Sequence, residues 1–574
     1  MRHQSRAPLR LLVVTDGASI PNWLRKCLAA VTQSGAATVV VASYAARPGV
    51  RALQTLRRLL FSLYEHLDRL LVRRGPDALA GIDPHAALPN CHVVDLRTSL
   101  ARVLAGGRLD VVLDPFSLLA DGGPGGAGGA GGALADCSTY GVWSVAFGDA
   151  GDPRTQGTPV FWEIVEGRPS TSTRLCIRWK GSATQRVLYS SVAATYRHSV
   201  SRARNHIYWK LSAALTRTIQ GLWEDPAGFR ERLRAAASAE GTTKPPGPPG
   251  NLAMLGAMTR LARRYAAGRW THALYRDQWA LAYQRGARER PAIDAFRTLL
   301  PPTDRYWADP FPIRMGKDYY IFHEELLFAT RKGTIVLSVV DDAGQIAGPI
   351  PILEKDYHVS YPFVFQWDGD FFMIPQTDSH RVELYRCVNF PARWKLERVL
   401  LPGVTASDPT PAFLGGRWWL FANVPAYGAT WVHDELHLFH ADSPLGPWTP
   451  HRNNPVKSDV RSARPAGRIF ERDGQYYRPA QDCSRRYGYA VSINRIVRLD
   501  PDVYEEVEVD RISPHRDSRL AGVHTFNVAD DMTVIDCLIR RRKLWARPWR
   551  GPLHLGRVAR HYPPPAVRRS AKAT

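Results

Sequence analysis

The chain has 574 residues, of which 45% are hydrophobic and 22% are charged, and its net charge is +23. This length predicts roughly two to four domains, and the composition excludes disorder over most of the chain. No run of about 18 apolar residues is present that could cross a membrane. Seven scattered cysteines without a CxxC pair exclude a zinc cluster and favour a reducing compartment. Because the first residues read as a strand and not as a cleavable leader, the chain is expected to be cytoplasmic.

The positive charge favours polyanionic partners: nucleic acid, an anionic leaflet, or phosphorylated sugars and lipids. A bias of composition explains it equally well, because Arg far outnumbers Lys. Residues 541–574 contain no Asp or Glu, and we interpret them as a loosely ordered basic tail. No nucleic-acid recognition motif accompanies the charge, so no specific nucleic acid is expected as a partner.

Strands and helices alternate over residues 1–215, which predicts an α/β domain with a mostly parallel, doubly wound sheet. The predicted strands are Leu11–Thr15, Ala37–Ala42, Cys91–Leu96, Leu109–Leu113 and Gly141–Phe147, and the predicted helices are Asn22–Gln33 and Arg51–Arg74. The second helix carries leucines at helical spacing and many arginines. It fits a core-facing helix with a solvated basic side, which we favour, or a helix that lies on an anionic membrane.

Two stretches of low complexity follow. Gly122–Ala133 is almost entirely Gly and Ala, which predicts a flexible surface loop within the first domain. Ser238–Asn251 is rich in Pro and Gly and belongs to a predicted interdomain linker, residues 216–276, that also contains helical residues.

A sequence motif recurs with a period of about 50 residues between residues 277 and 540. The copies begin with ADPFP at 308, SYPFVF at 360, SDPTPAF at 407, ARPAGRIF at 463 and, more weakly, GVHTF at 522. Each copy reads as a strand, a tight Gly or Asp turn and an aromatic strand, which predicts a β-hairpin. Five such units predict an all-β, five-bladed propeller over residues 277–540.

Equivalent positions of the repeat should converge on the central funnel of a propeller. The residue before each proline, with its match in the fifth copy, is Asp309, Tyr361, Asp408, Arg464 and His524. Carboxylates in a shared pocket suit glycosyl transfer, which needs one group to donate a proton and another to remove one. The candidate catalytic residues are Asp309, Asp408, Glu325 and Asp482, and the candidate substrate-binding residues are Trp307, His358, Tyr361, Gln376, Arg464, Gln481 and His524.

A structural role fits the same positions. An Asp before Pro caps strands and turns, and Arg464 could serve only to neutralise Asp309 or Asp408 across the funnel. No metal-ligand pattern is evident, so no metal is predicted.

The segments YWADPFP, YYIFHEE, SDPTPAF and YRPAQDCSRRYG resemble the N-terminal domain of plant glucosamine inositolphosphorylceramide transferases. That domain is similar in turn to the five-bladed propellers of family-43 glycoside hydrolases. The resemblance covers about 250 residues and implies that Asp309 is the base or nucleophile of the first blade. Where those hydrolases have a general-acid Glu in a middle blade, this chain has Asp408, and the resemblance leaves Glu325 or Asp482 to take that role.

Residues 1–215 resemble the Rossmann-like fold of methionyl-tRNA and sugar-amine formyltransferases, through LDVVLD, YGVWSVAFGD, TPVFWEIVEG and STSTRLCI. The resemblance implies catalysis by an Asn, a His and an Asp on a folate cofactor. Ser144 and Ala146 replace the Asn and the His, and Lys180-Gly181-Ser182 replaces the Asp motif. An alanine cannot transfer a proton, so no folate cofactor is expected and a scaffolding role is favoured over active sugar N-formylation.

We therefore expect a carbohydrate-active protein that transfers glycosyl groups in envelope polysaccharide or glycolipid biosynthesis. The expected partners are a sugar, nucleotide sugar or glycolipid, with peripheral contact to the anionic inner leaflet. Three alternatives stay open: a family-43-like glycoside hydrolase, a non-catalytic module that binds a glycan or a partner, and an active sugar N-formyltransferase.

Overall fold

The computed structural model of the chain separates into two compact units, residues 1–268 and residues 269–425 with 432–574. The residues that the structure describes are 6–17, 19–43, 56, 58–72, 75–88, 92–96, 101, 107–119, 130–149, 152–179, 184–239, 247–286, 295–425, 433–514 and 520–543. Several predicted features lie outside them: Cys91, the glycine run up to residue 129, the segment 180–182, residues 240–246 of the Pro/Gly-rich stretch, and the basic tail from residue 544 onward.

Eight strands of the first unit form one sheet. In order across the sheet they are Ser238–Ala239, Gln185–Ala194, Ser170–Arg178, Val142–Phe147, Val111–Asp114, Leu9–Thr15, Ala37–Ser43 and His92–Asp95. The last five pair in parallel, as predicted. The first three extend the sheet by antiparallel pairing, which the prediction did not contain. The α/β arrangement is thus confirmed, and the formyltransferase type stays a prediction.

Helices cover both faces of this sheet. The helices before the propeller are Asn22–Gln33, Leu59–Val72, Pro84–Ala87, Ala130–Asp136, Pro153–Gly157, Phe161–Glu166, Val200–Glu224, Pro226–Ala235 and Asn251–Leu274, and a small second sheet pairs Ile20–Pro21 with Gly81–Ile82. Side chains of the strand Leu9–Thr15 alternate between the two faces. Leu11 and Val13 pack with helices Asn22–Gln33 and Val200–Glu224, whereas Leu12 and Val14 pack with Leu134.

Three predictions for this unit need correction. The helix Leu59–Val72 buries Phe61 but leaves Leu63 and Leu67 exposed, so it is not a core-facing helix whose outer side is only basic. The end of the glycine run is helical from Ala130. The boundary placed at residue 215 falls inside the helix Val200–Glu224, whose buried residues beyond that position belong to the core of the first unit.

The second unit is a five-bladed β-propeller, as predicted. Its blades are named here by their strands from the centre outward. They are blade 1 (Arg305–Met315, Asp318–Leu327, Gly333–Val340, Ile346–Leu353), blade 2 (Val359–Trp367, Asp370–Thr377, Arg381–Asn389, Arg393–Pro402), blade 3 (Ser407–Leu414, Arg417–Asn423, Leu436–Ala441, Thr449–Pro450), blade 4 (Phe470–Arg472, Gln475–Asp482, Ala490–Leu499, Tyr504–Ile512) and blade 5 (Leu520–Gly522 and Phe526–Ala529, Met532–Arg542, Tyr275–Arg285, Arg297–Leu299).

Blade 5 combines the two ends of the propeller sequence. Its strand Tyr275–Arg285 pairs antiparallel with Met532–Arg542 along its whole length. The first strand of the propeller thus completes the last blade, and this closure leaves no unpaired edge between the beginning and the end of the repeat.

The inner strands of blades 1 to 3 share a bulge at the residue before proline. The pairing register shifts between Ala308 and Phe311, between Ser360 and Phe363, and between Ser407 and Thr410. At these bulges Asp309, Tyr361 and Asp408 have φ values of 53°, 48° and 52°. Non-glycine residues rarely adopt this left-handed conformation, and bulges are used to redirect side chains near sites. The bulge therefore sets the direction of three of the predicted funnel residues.

Candidate active site

The first half of the site is the Asp309 corner, defined here as Asp309, His524, Thr525 and Asp536. His524 lies between two carboxylates, with Nε2 3.2 Å from Asp309 Oδ1 and Nδ1 2.7 Å from Asp536 Oδ2. The Thr525 hydroxyl donates a hydrogen bond of 2.9 Å to Asp309 Oδ1. Asp536 accepts backbone N–H groups from Asp309, His524 and Thr525 at 2.9 to 3.0 Å. Asp536 thus holds blade 1 and blade 5 together beneath the histidine.

Charge is distributed unevenly in this corner. Burial alone would lower the pKa of His524, but Asp536 and Asp309 outweigh it and raise that pKa to about 10. Burial alone would raise the pKa of Asp309, but His524, Thr525 and Arg464 outweigh it and lower that pKa. The arrangement is thus an imidazolium beside an ionised Asp309. Asp309, His524 and Asp536 also place ligand atoms within 4.8 Å of one another, and the absence of a metal stays a prediction.

Glu324 is a second carboxyl group close to Asp309. It is buried, it accepts a hydrogen bond of 3.2 Å from the Tyr306 hydroxyl, and its Oε1 lies 3.5 Å from His358 Nε2. Burial, and then the charge of Asp309, raise the pKa of Glu324 well above its usual range. Burial lowers the pKa of His358, so this imidazole favours the neutral form. The environment therefore keeps Glu324 protonated beside an ionised Asp309.

Glu325, which was predicted as a candidate catalytic carboxylate, lies on the other face of the strand from Glu324, because adjacent residues of a strand point to opposite faces. Glu325 accepts hydrogen bonds from Trp307 Nε1 at 2.9 Å and from Arg305 at 3.1 Å, and it is Glu324 that faces Asp309. Trp307 was predicted to bind substrate. It instead packs into an apolar cluster with Leu281 and other residues of blades 1 and 5.

The second half of the site is the Asp408 corner, defined here as Asp408, Arg464, Gln376 and Gln481. Arg464 donates to both oxygens of Asp408, at 2.6 Å and 3.0 Å, and Gln481 donates to Oδ2 at 2.6 Å. The Asp408 N–H donates to Gln376 Oε1 at 3.1 Å. Burial raises the pKa of Asp408, and Arg464 opposes that rise. The bidentate geometry is that of a buried ion pair.

Two further predicted residues have structural positions. Tyr361 is fully buried against Phe311, its hydroxyl lies 2.8 Å from Thr410 Oγ1, and its backbone N–H donates to Asp309 at 3.2 Å. Asp482 pairs with Arg511 and caps the N–H of Ser484. Because Gln481 faces Asp408, its neighbour Asp482 points to the other face of the strand and away from the Asp408 corner.

The structure therefore brings together Asp309 with His524, and Asp408 with Arg464, Gln376 and Gln481. Glu325, Trp307 and Asp482 are placed elsewhere. Sequence reasoning did not select Glu324, Thr525 and Asp536. The strand alternation around Glu324 was the available signal, whereas nothing local in the sequence indicates that Asp536 lies under His524.

No helix in the described part of the chain is both long and apolar enough to span a bilayer.

Residues 300–527 match the family described as glucosamine inositolphosphorylceramide transferase 1, N-terminal. Two relatives are named glucosamine inositolphosphorylceramide transferase 1. The protein of Arabidopsis thaliana is 36% identical over 208 residues, which is 36% of this chain and 27% of that protein. The protein of Oryza sativa subsp. japonica is 34% identical over 229 residues, which is 38% of this chain and 31% of that protein. The chain thus matches less than a third of the length of these relatives.

Among solved structures, the chain is similar to Zg3597, a family 117 glycoside hydrolase from Zobellia galactanivorans. The identity is 14% and the TM-score 0.31, over 45% of this chain and 90% of that one. It is also similar to native Bacillus subtilis arabinanase Arb43A, with 15% identity and a TM-score of 0.30 over 41% of this chain and 93% of that one. Similarity at this level carries no argument about activity, and the propeller is established by the strand order of the chain itself.

Proposed function

We propose that the propeller binds the sugar part of a glycan or glycolipid in its funnel and acts on a glycosidic bond there. One observation carries the proposal: Asp309 and Glu324 are neighbouring carboxyl groups whose pKa values are displaced in opposite directions. A pair of this kind supplies one proton donor and one proton acceptor at the same pH. Glycosidic bond cleavage and glycosyl transfer require that combination.

The two carboxyl groups take different roles in this mechanism. Glu324 donates its proton to the oxygen of the departing group as the bond from that oxygen to the anomeric carbon breaks. Asp309 accepts a proton from the attacking hydroxyl, or attacks the anomeric carbon itself. His524 and Thr525 fix the orientation of Asp309 through contacts at 3.2 Å and 2.9 Å. When Asp309 acts as the base, it ends protonated and Glu324 ends ionised, and exchange with solvent restores both. When Asp309 attacks the anomeric carbon, the ionised Glu324 takes the proton of the hydroxyl that then displaces Asp309.

The choice of substrate is a further part of the proposal. A transferase reaction on a glycolipid is supported by similarity to relatives whose names contain glucosamine and inositolphosphorylceramide. The acceptor of transfer would be a hydroxyl group of a lipid or glycan, and the donor a nucleotide sugar or an activated lipid-linked sugar. With water as the acceptor, the same pair would hydrolyse the bond.

A second candidate function is binding without conversion. The Asp408 corner favours it, because both oxygens of Asp408 already accept hydrogen bonds from Arg464 and Gln481. A carboxylate that a buried guanidinium binds through both oxygens is suited to shaping a pocket. The matching family is also described as an N-terminal part only.

For the first unit we propose a scaffolding role without formyl transfer. Ser144 and Ala146 lie on the central strand Val142–Phe147 and pair with Cys176 and Arg174 of the neighbouring strand. Neither Ser144 nor Ala146 supplies a group that titrates near neutral pH, as a general base requires. The wild-type protein should therefore give no formylation of amino sugars in a folate-dependent assay, and measurable formylation would contradict this role.

The test of the propeller's role uses a panel of glucosamine-containing glycans and glycolipids, with both binding and products measured. We expect Asp309→Asn and Glu324→Gln to lower turnover by about a hundredfold or more while binding is kept. Glu325→Gln is the matched control, since its side chain points away from Asp309, and it should retain turnover. Full turnover in both funnel variants would rule out the proposed pair. Ligand retention by the wild-type protein without any product would instead support the binding module.

A further inference from the structure

Two helices of the first unit start side by side. The side-chain amide of Asn251, the first residue of the helix Asn251–Leu274, donates to the carbonyl of Leu56 at 3.0 Å. Its oxygen accepts the N–H of Leu60, at the beginning of the helix Leu59–Val72, at 3.2 Å. The helices Leu59–Val72 and Asn251–Leu274 therefore begin next to each other.

The first helix is apolar on two sides. Its inner side packs into the core through Phe61, which is 4% exposed, and through the partly buried Tyr64. Its outer side carries an exposed row of leucines at intervals of three and four residues, as one helix face requires. We call this row, together with its neighbour Leu71, the leucine row; its members are Leu56, Leu59, Leu63, Leu67, Leu70 and Leu71.

The second helix repeats this arrangement. Met254 and Ala257 are buried in the core of the first unit. Leu252, Leu255 and Met258 are exposed, with Leu252 at 86%. Soluble monomeric proteins rarely leave contiguous apolar rows of this size in water, so the two rows indicate a surface that another apolar phase covers.

The outward-facing charged residues on these two helices are positive. The two acidic residues of the first helix are used on its inner side: Glu65 pairs with Arg204, and Asp68 accepts the N–H of Ser201 at 2.6 Å. The helix Asn251–Leu274 contains no Asp or Glu and carries the four arginines Arg260, Arg263, Arg264 and Arg269. Arg264 is occupied by the carbonyl of Ile164 at 2.6 Å, whereas Arg260 and Arg263 are exposed.

We propose that this pair of helices docks the protein onto the surface of an anionic lipid bilayer. The leucine row and Leu252, Leu255 and Met258 enter the boundary between headgroups and acyl chains, and Arg260 and Arg263 meet lipid phosphates. Interfacial helices have an exposed apolar face and cationic flanks, and their axes lie in the plane of the membrane. The helices lie on the bilayer and do not cross it. This inference is independent of the reaction proposed for the propeller.

The experiment measures binding of the full chain to vesicles by flotation. One set of vesicles contains phosphatidylglycerol and phosphatidylcholine in equal parts, and the other contains phosphatidylcholine alone. We expect binding to the anionic vesicles to exceed binding to the neutral ones by about tenfold or more. The variant with Leu59→Gln, Leu63→Gln, Leu67→Gln and Leu70→Gln should lose about tenfold or more of the affinity for anionic vesicles. These side chains are exposed, so circular dichroism should show an unchanged fold.

Two matched variants separate the contributions. The first variant changes four exposed apolar residues of the propeller and should leave vesicle binding unchanged. Its substitutions are Ile350→Gln, Val388→Gln, Val507→Gln and Val509→Gln. Arg260→Gln with Arg263→Gln should remove most of the preference for anionic over neutral vesicles.

Three results would overturn the proposal. The first is undiminished binding by the leucine variant, because charge alone would then hold the protein to lipid. The second is no binding to either kind of vesicle. The third is a wild-type dimer in sedimentation without lipid that the leucine variant converts to a monomer, because the row would then be an interface between two copies of the chain.

Discussion

Asp309 and Asp408 occupy the same position in two blades, yet their surroundings differ. Both precede a proline, both lie in a bulge of the inner strand, and their φ values are 53° and 52°. Asp309 faces an imidazolium, a threonine hydroxyl and a second carboxyl group that stays protonated. Asp408 faces a guanidinium that binds both of its oxygens. The same residue in the same backbone thus lies beside an imidazolium and a protonated carboxyl group in one corner, and beside a guanidinium that binds both of its oxygens in the other.

The difference arises from the blades that supply the partners. Arg464 comes from the segment that leads into blade 4 and is 56 residues from Asp408. Thr525 comes from blade 5 and is 216 residues from Asp309. The closure of blade 5 by the strand Tyr275–Arg285 therefore creates the Asp309 corner. The repeat gives each blade an equivalent position, and the neighbouring blade decides what that position can do.

The largest expected effect is alkaline destabilisation through His524. Its pKa is raised from 6.5 to about 10 in the folded protein. A raised histidine pKa adds stability that is complete below pH 6.5 and is lost as the pH rises through about 10. The free energy of unfolding of the propeller should therefore fall by on the order of 4 to 5 kcal/mol across that window. Urea denaturation at a series of pH values measures it.

His524→Gln should be less stable at neutral pH and should lose most of this alkaline slope. His440→Gln is the control, since burial lowers the pKa of His440 and it gains no alkaline stability. An alkaline slope equal to that of the wild type in His524→Gln would contradict the imidazolium in the Asp309 corner.

The ion pair of the Asp408 corner gives the next largest effect. Arg464→Met leaves Asp408 buried without its cation and should lower the free energy of unfolding by about 3 to 5 kcal/mol. The double variant with Asp408→Asn should recover part of that loss, because no buried charge is left unpaired. Arg461→Met is the control. Arg461 pairs with Asp459, but its side chain is 49% exposed, so the loss in the free energy of unfolding should be below about 1 kcal/mol. Equal losses in Arg464→Met and Arg461→Met would mean that the Asp408 pair is not effectively buried.

A smaller effect is expected at Glu324, where the substitution should stabilise the folded protein and not destabilise it. Folding keeps this buried carboxyl protonated at a pH where the unfolded chain ionises it. Its contribution to stability is complete below the unfolded pKa and is lost as the pH rises through the folded value. Glu324→Gln removes this dependence and keeps a neutral hydrogen-bonding group, so it should stabilise the propeller at neutral pH by about 1 to 2 kcal/mol. Thermal unfolding at acid and neutral pH tests it. A variant that is destabilised at neutral pH but not at acid pH would show that Glu324 is ionised in the folded protein.

The smallest effect is expected one residue further on. Glu325 is partly exposed and bonds to Arg305 and Trp307. Glu325→Gln keeps the acceptor and removes only a partly screened charge, so stability should change by less than about 1 kcal/mol. The paired measurement of Glu324→Gln and Glu325→Gln tells which of two adjacent carboxylates belongs to the site. A larger effect at Glu325 would reverse the assignment.

Local patterns in the sequence determined much of the architecture. The alternation of apolar residues, the turn residues and the repeated proline predicted five hairpins and the propeller, because hairpins form from neighbouring residues. The helix Asn22–Gln33 and the parallel strands of the first unit also follow from local periodicity. Asp309, Asp408, Arg464 and His524 could be selected as funnel residues because they share one position of the repeat.

Only the tertiary structure decided which side chains face one another. Asp309 lies in a bulge whose register the sequence does not show, so only the structure decided that Glu324, and not Glu325, is the carboxyl group beside Asp309. Asp536 could not be selected from local sequence, because it lies in blade 5 and bonds to the backbone of Asp309 in blade 1. Leu59, Leu63, Leu67 and Leu70 share one face of their helix, as core residues usually do, so periodicity pointed to a buried face where the structure has an exposed one. Sequence specifies neighbours along the chain, whereas protonation and exposure depend on groups that the fold brings from hundreds of residues away.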